Sequence, residues 1–146
     1  MAALSELFAS DHARALAHAT ALDGGSDPQD APRLELTSMT PLDLEVLGEI
    51  AVEAVHFGTG DLECEEVDLD FDNLFELPPF LVEVLHELAT HEDPELIGEV
   101  ATRWAATEEM ATTPENALSV LTDILALVKV ADREDLSVYL WVENPG

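Results

Sequence analysis

Two periodicities divide the chain. Thr40 to Phe57 repeats apolar residues at helical spacing, with Leu44, Leu47, Ile50, Ala51, Ala54 and Val55 on one side and Glu45, Glu49 and Glu53 on another. Thr40 followed by Pro41 supplies the start, since the hydroxyl caps free amides and proline fits the first turn. Pro78 and Pro79 open a second such segment with Leu81, Val84, Leu85 and Leu88; Pro94 leads into a third with Leu96, Ile97, Val100, Ala101 and Trp104. In the third, Glu99 and Arg103 stand four apart, where they can pair. Thr113, Pro114 and Glu115 start a fourth, whose body from Leu118 to Val130 is so apolar that it reads as the most buried helix. Ala2 to Leu22, rich in Ala and Leu, reads as a further helix.

Strict alternation marks the extended segments. Leu34 and Leu36 alternate with Glu35; Val67, Leu69 and Phe71 alternate with Glu66, Asp68, Asp70 and Asp72; Leu136 to Val142 alternates aliphatics with Ser137, Tyr139 and Trp141. The last segment needs a neighbour for its backbone groups, and the strand near Leu34 or the one near Leu69 is expected to supply it. Asp23 to Pro32 clusters breakers and small polar residues, as a flexible connection does. The expectation is a mainly α (α+β) chain of about five helices with a small two- or three-stranded sheet that includes the C-terminal strand. Residues 1–22 form an N-terminal helix or arm, 23–32 a flexible linker, and 33–146 a single core domain.

Length and composition agree with one folded core. The chain has 146 residues, close to the usual domain size, and 47% are hydrophobic, too many for an acidic disordered tail. Charge changes the picture more, because 32 Asp and Glu stand against 5 Lys and Arg, a formal net charge of −27. Mutual repulsion in a compact state opposes folding, so the acids call for a cause. Three causes fit: a basic protein partner, mimicry of DNA in front of a nucleic-acid-binding protein, and adaptation to a high-salt cytoplasm. Direct binding to nucleic acid or an anionic membrane is disfavoured, since phosphates require Lys and Arg. One cysteine, the absence of a basic-then-apolar N-terminus and the lack of a span-length apolar run point to a cytoplasmic protein, monomeric or homodimeric.

Candidate chemistry is sparse. Asp68-Leu69-Asp70-Phe71-Asp72 begins like a calcium loop, but Asn73 replaces the turn glycine and Pro79 the bidentate glutamate. Glu53-Ala54-Val55-His56 and Glu83-Val84-Leu85-His86 have the Glu-x-x-His spacing of di-metal bundles, which makes a small metalloenzyme the alternative of a different class. With 19 Glu and 5 His, chance alone readily yields such pairs. His86 and His91 are five apart, about 140° round a helix, unlike a zinc-protease pair. Cys64 lies among Glu63, Glu65 and Glu66, which raise a thiol's pKa and make it a poor nucleophile. Tyr139 and Trp141 share one strand face, either as core or as an aromatic contact surface. The expectation is a non-catalytic protein with no cofactor and no metal site.

The distribution of acids is sharper than their number. Between Arg33 and Arg103 there are 19 Asp and Glu and no Lys or Arg. In one strand Asp68, Asp70 and Asp72 form a ladder with a pitch of roughly 6.6 Å. The expected partner-binding residues are therefore Glu45, Glu49, Glu53, Asp61, Glu63, Glu65, Glu66, Asp68, Asp70, Asp72 and Glu76. Arg103-Trp104-Ala105-Ala106-Thr107-Glu108-Glu109, with Tyr139-Leu140-Trp141-Val142 near the end, resembles patterns in small acidic bacterial proteins of the immunity or antitoxin kind. That resemblance covers the last third of the chain and assigns no functional residues. It implies a protein that neutralises a cognate toxin, often a basic nuclease.

Overall fold

A computed structural model describes residues 4–24, 33–37, 39–58, 60–68, 71–107, 110 and 112–142. In chain order it contains β1 (Leu4–Ser10), α1 (His12–Asp23), β2 (Arg33–Thr37), α2 (Pro41–Val55), β3 (Glu65–Asp68), β4 (Phe71–Glu76), α3 (Pro79–Thr90), α4 (Glu95–Ala105), α5 (Pro114–Arg133) and β5 (Ser137–Val142). All strand pairings are antiparallel, in the order β2-β1-β5-β4-β3. The mainly α character and the strand near the C-terminus agree with the sequence, whereas the sheet has five strands rather than two or three.

The largest departure is at the start. Leu4–Ser10 is a strand between β2 and β5, not the first turns of a helix. Ser5 to Ser10 are all buried, so the segment lacks the polar alternation that betrays a half-exposed strand, and its Ala and Leu content imitates a helix. Asp11 ends it: its carboxylate accepts the Arg14 N–H at 2.9 Å and caps α1. The expected linker, 23–32, lies outside the described residues beyond Gly24.

Both faces of the sheet are covered. Leu7, Ala9, Leu36, Val138 and Leu140 join the main core, which α2 to α5 complete with Leu44, Leu81, Leu85, Trp104, Leu121 and Ile124. Phe8, Leu74, Tyr139 and Trp141 face the other way, beneath Ala15 and Ala19 of α1. Tyr139 and Trp141 are thus core residues. At 2% and 7% exposure they leave no aromatic contact surface on β5. The partners of β5 are β1 and β4, with Leu7 opposite Leu140 and Leu74 opposite Trp141. Of the two neighbours expected, β2 is not one, whereas β4 comes from the alternating acidic stretch around Leu69, a residue that itself lies outside the described ones.

α1 is tied down by polar contacts as well as packing. At its end the Asp23 carboxylate accepts Trp141 Nε1–H at 2.9 Å and Asn73 Nδ2–H at 3.0 Å, which joins the helix to β5 and β4. In its middle, the His18 ring stacks on Phe8 at 3.9 Å between centroids, and Nε2 hydrogen-bonds the Glu6 carboxylate. The second Glu6 oxygen takes an Arg33 guanidinium N–H at 2.6 Å. Glu6 and His18 side chains are each only 3% exposed. Three residues from β1, α1 and β2 thus form one largely buried polar cluster between helix and sheet.

Candidate functional site

The acidic stretch from Asp61 to Glu76 is a hairpin, not one extended strand. β3 and β4 pair with Glu65 opposite Glu76 and Asp68 opposite Phe71, with a register irregularity between Glu66 and Asp68. Asp68 and Asp72 therefore belong to different strands, and the ladder expected from one strand does not form; Asp70, with Leu69, lies outside the described residues. A stretch of alternating acidic and apolar residues satisfies a turning chain as well as a straight one, provided each strand keeps its own face buried. Val67 and Leu74 accordingly both pack against the smaller core.

Two glycines bring the segment before β3 onto the helices. A Cβ at Gly48 of α2 would sit 2.6 Å from Leu81 Cδ1 and 3.0 Å from Leu62 Cδ2, and one at Gly60 would sit 2.4 Å from the Phe80 ring. Bare backbone at these points lets the loop seat Leu62 on α2 and its own main chain on α3. Glu45 of α2 then accepts the Cys64 N–H at 3.2 Å, and Asp61 accepts the Glu63 N–H at 2.9 Å. α2 itself is set by a reciprocal cap, the Thr40 hydroxyl accepting from the Asp43 N–H at 3.3 Å and the Asp43 carboxylate accepting from the Thr40 N–H at 2.9 Å. Through these contacts the helix stripe and the acidic loop, 19 positions apart at Glu45 and Cys64, become one face.

Glu49, Asp61, Glu63, Glu65 and Glu66 are exposed, while Glu45 and Glu76 are half-buried. Asp61, Glu65 and Glu76 rim a cavity of about 230 Å³ whose walls are Leu77, Pro78, Pro79 and Phe80. Glu53 departs from the pattern: it is exposed but pairs with Arg103 of α4, which takes the place of the expected Glu99–Arg103 pairing. Two other cations are occupied elsewhere, Arg14 with Asp11 at 3.6 Å and Arg33 with Glu6 and Glu35.

The electrostatics of the face register on Cys64. Burial pushes the thiol up to about 12 from an ordinary 9.0, and the carboxylates of Glu45, Asp61 and Glu63 add to the rise. A group held so firmly protonated is no nucleophile at neutral pH. The two Glu-x-x-His pairs do not build a shared site either. His56 is the exposed C-cap of α2 in the left-handed region, and His86 reaches Asp132 of α5 at 3.2 Å. Among the described residues no three His, Cys, Asp or Glu are grouped as metal ligands, and no helix is long and apolar enough to cross a membrane.

The cluster of Glu6, His18 and Arg33 is what the sequence concealed. Its one external sign is an acid inside the apolar run before Asp11, and an Ala- and Leu-rich helix would carry such an acid on its wet side without penalty. Comparison of the chain with protein-family models, with curated proteins and with solved structures finds no match.

Proposed function

We propose that this chain is a non-catalytic binding protein that docks an acidic face onto a basic protein and inhibits it, as immunity proteins and antitoxins do to their toxins. The observation that carries this reading is the union of the α2 stripe with the loop before β3 through the bond from Cys64 to Glu45. A concentration of unneutralised carboxylates on one face raises the local potential and accelerates encounter with a cationic surface. The cavity among Asp61, Glu65 and Glu76 suits one Lys or Arg side chain. Its stem would lie on Pro78 and Phe80 and its charge among the three acids. Inhibition follows from occupancy, because a toxin that binds nucleic acid uses the same basic surface for its substrate.

The reading is tested by titrating the purified product of the adjacent gene, a candidate toxin, in a calorimeter. Wild type is compared with the triple variant Asp61→Asn, Glu65→Gln, Glu76→Gln. The expected result is saturable binding that the triple variant weakens at least tenfold. Equal binding by both proteins would remove the acidic face from the mechanism.

A further inference from the structure

The two edges of the sheet differ in how they are guarded. β3, at one edge, is only 4 residues long, irregular in register and acidic, all of which discourage another strand from adding to it. β2, at the other edge, keeps an unbroken register against β1 from Arg33 to Thr37, and among the described residues no strand lies on its outer side. Along that outer side runs a cavity of about 360 Å³. Leu34, Glu35 and Leu36 all line it, although their side chains alternate between the faces of the sheet, so the cavity follows the edge itself. Its apolar lining continues through Met39, Met110 and Val120.

We infer that the outer edge of β2 receives an extended, cationic segment of a protein partner, added as a sixth strand whose alternate aliphatic side chains enter this cavity. Strand addition supplies main-chain hydrogen bonds to an edge and specificity through pockets for every second side chain. Leu34 and Leu36 are two such alternate positions, so two successive aliphatic side chains of the added strand meet the cavity. Charge selects the occupant. Asp123, exposed on α5, lines the cavity together with Glu35, whose side chain is 76% exposed and holds Arg33 through one oxygen, and among the described residues no Lys or Arg lines it; Asp43 also lines it but is buried and engaged in the cap of α2. A second copy of the chain is disfavoured on the same ground: antiparallel pairing of β2 with itself about its centre sets Glu35 directly opposite Glu35, and each copy brings a net charge of −27. Lysines on the other face of an added strand meet Glu35 instead.

This inference rests on the basic-partner reading and extends it to a second surface. The test uses a fluorescein-labelled heptapeptide alternating Lys and Val, followed by anisotropy and by amide resonances of the labelled protein. Expected are resonance shifts at residues 33–37, 39, 110 and 120, and at least tenfold weaker binding by the Glu–Val and Lys–Gly counterparts. N-methylation of one alternate set of peptide amides lowers affinity at least tenfold, while N-methylation of the other set changes it less than twofold, since only one edge of an added strand bonds to β2. The variant Asp123→Lys, exposed on α5, weakens binding several-fold without disturbing the fold. Equal tolerance of both N-methylated sets, or absence of binding, overturns strand addition. Shifts at 61–66 without shifts at 33–37 overturn it too, yet leave docking by the acidic face standing; the acidic face itself is refuted only by the triple variant above.

Discussion

Replacing Glu6 with alanine removes the carboxylate that meets both His18 of α1 and Arg33 of β2, and the consequences differ for these two partners. Arg33, 16% exposed, retains Glu35 at 2.7 Å. His18, 3% exposed, loses the only acid that its Nε2 is seen to meet. A buried polar atom left without a partner costs about 1 to 3 kcal/mol, and breaking a buried ionic contact from one side about 3 to 5 kcal/mol. Because Arg33 keeps a second acid, the lower part of the second range applies, and Glu6→Ala should cost about 3 kcal/mol. Against a total stability of about 5 to 15 kcal/mol that is a large share, equivalent to a fall in Tm of roughly 6 to 12 °C for a domain of this size. Urea unfolding followed by tryptophan fluorescence measures it, since Trp141 sits in the layer that α1 covers and Trp104 in the main core. The double replacement Glu6→Leu with His18→Leu should recover most of the loss, as apolar pairs of similar volume commonly do. A cost below about 1 kcal/mol for Glu6→Ala would refute the account of this cluster as the polar fastening of α1.

Four further outcomes follow from other contacts. At pH 8, alkylation of Cys64 by iodoacetamide should be roughly a thousandfold slower in the folded chain than in urea, the ratio set by a thiol at about 12 against 9.0. The folded state keeps a proton that the unfolded chain releases above pH 9, so stability should also decline as pH rises from 9 towards 12; a flat profile there would contradict the burial of the thiol. Asp23→Ala should cost about 1 to 2 kcal/mol and speed hydrogen exchange in α1 while leaving α5 amides protected, because Asp23 holds Trp141 and Asn73 to the end of that helix alone. Gly60→Ala should cost about 1 to 3 kcal/mol through the clash with Phe80, measured by thermal melting, and no loss would mean that the loop is not seated there.

How far the sequence can be read depends on whether an element keeps one wet face. α2 to α5 do, and their capping residues, Thr40 with Pro41 and Thr113 with Pro114, stand where the helices begin. β1 does not: buried on both faces, it shows no alternation, and its composition favours the wrong element. The hairpin of β3 and β4 escaped notice because Leu69 and Asp70 continue the alternation on either side of them, so periodicity carries no mark of the reversal. The acids of the candidate face could be named from sequence, but their convergence could not. It depends on Gly48 and Gly60 admitting Leu62 and Phe80, and on a bond between Glu45 and a backbone amide 19 residues away. The cluster of Glu6, His18 and Arg33 combines residues from three elements, one of them misread as helix, and sequence spacing has no means of bringing them together.

The central claim is that an acidic face drives recognition of a basic protein, and the association rate constant as a function of ionic strength tests it most directly. Stopped-flow mixing with the purified product of the adjacent gene, between about 20 and 300 mM salt, should show the rate falling on the order of ten- to a hundredfold while dissociation changes little. The triple variant at Asp61, Glu65 and Glu76 should flatten that dependence. An association rate indifferent to salt would contradict the account.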